Sequence, residues 1–148
     1  LAPLVRQVLA IDSSRGMLEV LATKAQSQGL TNIECLQTDF ETAPPPHTRC
    51  HLIVSAMTLH HLATIDRVLH RFFQLLTPGG YLALADLDEE DGSFHGQQDG
   101  VHHHGFNRER LTEQLAAVGF HAIDISTVTH RVKNSRRYPV FLAKARKP

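Results

Sequence analysis

Two acidic residues stand directly after short apolar runs. Gln7-Val8-Leu9-Ala10-Ile11 leads into Asp12, and Ile33-Glu34-Cys35-Leu36-Gln37-Thr38 leads into Asp39 and Phe40. A third run, His51-Leu52-Ile53-Val54, ends in Ser55-Ala56 and is soon followed by the pair His60-His61. A carboxylate at the carboxyl end of a buried parallel strand lies on the edge where open α/β sheets bind ligands. There it can accept both ribose hydroxyls of a nucleotide cofactor. The plainer role for Asp12 is to help cap the helix that Ser13 and Ser14 introduce, and the residues by themselves leave the two roles open. His60 and His61 are candidates for a catalytic role, or packing residues at the start of a helix.

A second group, His95, His102, His103 and His104, suggests a metal. A zinc site needs about four ligands in fixed tetrahedral geometry, and three adjacent histidines on one loop do not converge on one ion. No metal is expected, and a substrate-covering loop is the better reading. Asp86 closes a fourth apolar run, Tyr81-Leu82-Ala83-Leu84-Ala85, as a minor substrate-facing candidate. Asp88, Glu89, Glu90 and Asp91 read as a solvated acidic stretch, and Cys35 and Cys50 as buried small residues.

These residues need strands that end where they stand. Uninterrupted apolar runs suit strands buried on both faces of a parallel sheet. Between the first two runs, Arg15–Gly29 carries helical periodicity through Met17, Leu18, Leu21, Ala22 and Ala25. Leu1–Arg6 reads as the tail of a helix. Three prolines at 44–46 make 41–49 a loop. Ile65, Val68, Leu69, Phe72, Phe73, Leu75 and Leu76 mark one face of a helix that Thr77-Pro78-Gly79-Gly80 stops and turns. After the irregular stretch Asp88–Asn107, a helix from Asn107 to Gly119 precedes two alternating segments. These are Phe120–Val132 and Tyr138–Ala145, joined by a polar turn as an antiparallel pair. Strands alternating with helices predict a mostly parallel α/β sheet with helices on both faces, finished by a C-terminal antiparallel hairpin.

The 148 residues are the length of one domain, 42% hydrophobic and 20% charged, values of an ordinary folded chain. Lys+Arg and Asp+Glu both total 15, a balance that argues against nucleic acid or an anionic membrane as partner. No apolar run reaches the roughly 20 residues of a membrane span. Two cysteines without a metal motif fit a reducing cytoplasm.

In order and spacing, four segments resemble successive motifs of the class I S-adenosylmethionine-dependent methyltransferases, most of all the bacterial small-molecule enzymes of the ubiquinone/menaquinone type. They are Ala10-Ile11-Asp12-Ser13-Ser14-Arg15-Gly16-Met17-Leu18, Gln37-Thr38-Asp39-Phe40, Leu52-Ile53-Val54-Ser55-Ala56-Met57-Thr58-Leu59-His60-His61-Leu62 and Leu76-Thr77-Pro78-Gly79-Gly80-Tyr81-Leu82. The resemblance implies a Rossmann-like fold, S-adenosylmethionine as cofactor and a small-molecule methyl acceptor. It implies that Asp12 holds the ribose hydroxyls, with Ser13 and Met17 beside ribose and adenine. Asp39 would accept from the adenine amine, with Phe40 offering its amide and ring edge, and Ser55 and Ala56 would line the methionine part. His60 and His61 fall at the mouth of the site, as weak candidates for catalysis.

One departure stands out. The family's first strand and Gly-x-Gly-x-Gly loop precede the ribose-binding acid, yet no glycine precedes Gln7. The chain therefore reads as a single methyltransferase domain, 1–148, truncated at its N-terminus, with the missing strand expected between those of Gln7–Asp12 and His51–Ser55. The alternatives are a cofactor-free α/β remnant serving as a protein-interaction module, which the missing loop would favour, and an NAD(P)-linked oxidoreductase. Against the oxidoreductase stand the Thr77–Gly80 turn and the antiparallel tail. Homo-oligomerisation is left open.

Overall fold

The computed structural model describes residues 1–96 and 99–148. They form two compact units, Leu1–Pro45 and Pro46–Pro148.

In the first unit, β1 (Val8–Asp12) and β2 (Ile33–Gln37) pair in parallel, Val8 opposite Ile33 and Asp12 opposite Gln37. The crossover is α1 (Arg15–Ser27). Ser14 caps it, its Oγ accepting from the Met17 amide at 3.3 Å. Leu18 and Ala25 are its buried positions, one helical face apart. Beyond its end Gly29 takes φ +65°, the left-handed turn that releases a chain from a helix. Leu1–Arg6 contributes one 3-10 turn, Ala2–Leu4, rather than a longer helical tail. Asn32 Nδ2 ties it down by donating to the Ala2 and Val5 carbonyls, 2.8 Å each. Cys35, expected inside, is exposed, because β2 has β1 as its only neighbour among the described residues.

The second unit has one four-stranded sheet in the order β3 (Cys50–Ala56), β4 (Leu76–Leu87), β6 (Arg136–Arg146), β5 (His121–Lys133). β3 and β4 are parallel, and β6 runs antiparallel to both of its neighbours. The hairpin turn places Asn134 and Ser135 at φ +50° and +62°, the left-handed pair that matches strand twist. One face of the sheet, with Leu82, Leu84, Phe141, Ala143 and Ala145, is buried. α2 (Ile65–Leu75) packs on β4 and on α3 (Arg108–Val118), which packs on β5. Asn107 caps α3 by accepting from the Glu109 and Arg110 amides, and Gly119 closes it at φ +110°.

Two local expectations are corrected. β4 begins at Leu76, so the Thr77–Gly80 segment lies inside the strand. Its partners are distant in sequence: Leu76 pairs with Cys50, Gly79 N donates to the Lys147 carbonyl, and Lys147 N donates to Gly80 O. The apolar run of β3 is not buried on both faces. Leu52 and Val54 are exposed on the face that carries the exposed Tyr81 of β4. β1 and β3 each have one edge without a hydrogen-bonded strand among the described residues, an arrangement open to a further strand.

Candidate active site

In the first unit, Asp12 ends β1 half-buried, and of its two expected roles the capping one is visible in its contacts. Oδ1 accepts from the Ser14 amide at 2.8 Å, so it helps to cap α1, while Oδ2 has no partner among the described residues. One oxygen thus fixes the side chain and the other is available to a ligand's hydroxyl. Ser13 is exposed beside it, its carbonyl accepting from Gln37 Nε2. Met17 is 59% exposed, an apolar, adaptable surface on the first turn of α1. Asp39 is engaged locally: Oδ1 accepts from the Glu41 amide at 2.9 Å, and Oδ2 from the Thr42 hydroxyl at 2.6 Å. Phe40, half-buried, follows in the same turn.

In the second unit, Ser55 and Ala56 end β3, half-buried and exposed respectively. Met57 then takes φ +54°, a left-handed conformation that costs a side-chain-bearing residue about 1–3 kcal/mol. Its amide donates to Ala85 O at 2.8 Å, so the neighbouring strand holds the bend. The bend feeds the 3-10 turn Leu59–His61, which carries the paired histidines back over the end of β4.

There His60 meets Asp86. His60 is 2% and Asp86 0% exposed. His60 Nδ1 lies 2.7 Å from Asp86 Oδ1, which also accepts from the Leu87 amide at 2.8 Å. Oδ2 accepts from the His60 amide at 3.3 Å. Asp86 is thus the central acceptor of this corner rather than a minor member. Sequence could have signalled it, since strands joined by one helix are usually neighbours and Ala56 pairs with Ala85. That register puts Asp86 level with the turn that bears His60.

The rings of His61 and His95 flank His60, with centroids 4.2 and 4.5 Å away. The Gly100 carbonyl accepts from His61 Nδ1 at 2.7 Å, and the His60 carbonyl accepts from the amides of His102 and His103. The irregular Asp88–Asn107 stretch is therefore tied to the histidine turn. Within it His102 and His104 are exposed and His103 half-buried, and Gln97 and Gln98 lie outside the described residues. No group of three or more His, Cys, Asp or Glu among the described residues is arranged to hold a metal ion.

The acidic stretch is not simply solvated. Arg108 clamps Asp88 through Nε and Nη2 at 2.6 Å each. The Glu90 side chain is 5% exposed, with Oε1 3.7 Å from His104 Nδ1, an ion-pair distance too long for a hydrogen bond. The Ser93 hydroxyl and the Arg136 guanidinium hold the Asp91 carboxyl well below the usual range. Arg108, His104 and Arg136 lie far along the chain from the carboxylates they meet, where local composition gives no sign of them.

Burial, and after it the neighbouring His60, holds the His95 imidazole below its ordinary value, against smaller opposing effects of Glu90 and Asp86. The unfolded chain therefore binds this proton at higher pH than the folded one, and its contribution to stability is complete above about pH 6.5 and is lost as pH falls. Thermal denaturation should show Tm dropping on acidification through that range and dropping less in His95→Gln. Equal slopes for the two proteins would contradict the assignment.

The chain is similar to known methyltransferases. A family model described as a methyltransferase domain matches residues 1–80. An uncharacterized methyltransferase of Schizosaccharomyces pombe is 28% identical over 119 residues, covering 71% of this chain and 42% of that protein. The ubiquinone/menaquinone biosynthesis C-methyltransferase of Pseudoalteromonas translucida is 30% identical over 86 residues, covering 57% and 34%. The chain thus spans less than half the length of either relative. Phosphoethanolamine N-methyltransferase 2 of Haemonchus contortus, solved with S-adenosyl-L-methionine, superposes with a TM-score of 0.78 over 96% of this chain and 43% of its own. At 16% identity that likeness is one of fold.

Proposed function

Since the chain belongs to the class I S-adenosylmethionine-dependent methyltransferases, we propose that it transfers a methyl group from S-adenosylmethionine to a small-molecule acceptor. The observation that carries the reading is Asp12, fixed through Oδ1 at the end of a parallel strand with Oδ2 available. A carboxylate so placed suits a ribose diol.

In this reading Leu1–Pro148 is a single methyltransferase domain. Asp12 and Ser13 take the ribose. Met17 and Phe40 give apolar contact to the adenine, and Asp39 takes its amine. Ser55 and Ala56 line the methionine end. S-adenosylmethionine supplies a methyl already made electrophilic by its sulfonium. The chain's part is to hold that cofactor, align the acceptor and exclude water. The free thiols Cys35 and Cys50 support a cytoplasmic setting, and no helix among the described residues is long and apolar enough to cross a membrane.

The test is Asp12→Ala in the full-length protein. Loss of hydrogen bonds from the ribose to a charged group should remove about 1.5–3 kcal/mol. S-adenosylhomocysteine should then bind roughly ten- to a hundred-fold more weakly by calorimetry. Unchanged affinity in a folded variant would remove Asp12 from the site.

A further inference from the structure

His60 and Asp86 form a pair that cofactor binding does not require, and their geometry gives the imidazole a direction. Asp86 Oδ1 already accepts from the Leu87 amide, so toward His60 it is an acceptor and Nδ1 is the donor. In the neutral ring the lone pair then lies on Nε2, which has no hydrogen-bond partner among the described residues. The ring cannot easily turn. Asp86 grips its Nδ1 and its backbone amide together, His61 and His95 flank it, and the amides of His102 and His103 hold its carbonyl. A histidine kept in one tautomer by a buried carboxylate, with the far nitrogen free, is the arrangement of a general base and its orienting partner.

We propose that His60, oriented by Asp86, takes the proton from the methyl acceptor, which is therefore a small molecule attacking through a hydroxyl or amine nitrogen that still bears its proton. The inference rests on the methyl-transfer reading. The acceptor's oxygen or nitrogen forms a bond to the methyl carbon as the carbon–sulfur bond breaks. The electron pair of that bond stays on sulfur, giving the neutral thioether, and the acceptor's proton passes to His60 Nε2. The imidazolium so formed faces the Asp86 carboxylate, which stabilises it, and it later returns the proton to water. His60 is the catalytic residue in this scheme and Asp86 a positioning residue.

The experiment has two arms, both on the full-length protein. The first needs no cofactor: ring-nitrogen NMR should find His60 with its proton on Nδ1, hydrogen-bonded and slow to exchange, and Asp86→Asn should abolish that signal. The second measures S-adenosylhomocysteine release against a library of phenols, alcohols and primary amines. His60→Gln should lower kcat by about 10²–10⁴-fold, the usual share of a general base, with KM and S-adenosylhomocysteine affinity nearly unchanged. Asp86→Asn should lower kcat in the same direction, and the acid limb of the wild-type pH profile should vanish in His60→Gln. A proton on Nε2 in the wild type would overturn the inference, as would His60→Gln retaining its kcat. A protein that binds S-adenosylhomocysteine yet turns over no member of the library would overturn the acceptor class. One that binds none would overturn the methyl-transfer reading itself, and the inference with it.

Discussion

Asp86→Ala is expected to lower the stability of the fold by at least about 3 kcal/mol, because it leaves several buried donors unsatisfied. Asp86 is fully buried and accepts from three donors, His60 Nδ1, the His60 amide and the Leu87 amide. Alanine leaves all three without an acceptor where water does not reach, at about 1–3 kcal/mol for each buried unsatisfied group. Asp86→Asn keeps an acceptor for the backbone amides and should cost clearly less. Urea denaturation of the two variants gives the comparison. A loss under about 1 kcal/mol for Asp86→Ala would mean the carboxylate does not organise this corner as described.

Gly105→Ala should rival it. Gly105 has φ +76°, and a methyl group added there would stand 2.1 Å from the Asp88 carbonyl oxygen and 2.9 Å from the Glu89 amide nitrogen. Both are backbone atoms, so no side chain can swing aside. The residues involved also form the link between Asp88 and Phe106, with Phe106 N donating to Leu87 O and Glu89 N to Phe106 O. The left-handed backbone costs an alanine about 1–2 kcal/mol, and overpacking adds roughly 1–3 kcal/mol. Gly96→Ala is the internal control. It has φ +64° with nothing near the added methyl among the described residues, so only the backbone cost of about 1–2 kcal/mol applies. Equal losses for the two in denaturant would refute the close approach at Gly105.

What was legible in the sequence was mostly local. Ser14, Asn107 and Gly119 mark helix ends through chemistry that acts over three or four residues, and they do so in the structure. The hairpin, the parallel pairs and the family's spaced motifs were legible for the same reason: each is a pattern within one stretch. Less legible were features set by remote partners. The Thr77–Gly80 segment looks like a turn until Lys147 and Cys50 pair with it. Asp88 and Asp91 look solvated until Arg108 and Arg136 reach them. Leu52 and Val54 look buried, because composition reports what a strand could cover and not which face is covered. His60 stood out by its motif, but its pairing with Asp86 depends on the register of β3 against β4.

Methyl transfer from S-adenosylmethionine is tested most directly by calorimetric titration of the full-length protein, in parallel, with S-adenosylhomocysteine and with NAD⁺. An acidic residue after a parallel strand is compatible with either nucleotide, so the pair discriminates where the fold does not. One-to-one binding of S-adenosylhomocysteine with a Kd of about 1 μM to 1 mM, the common span for enzyme ligands, is expected, with no heat from NAD⁺. Saturable binding of NAD⁺ with none of S-adenosylhomocysteine, or of neither, would contradict methyl transfer.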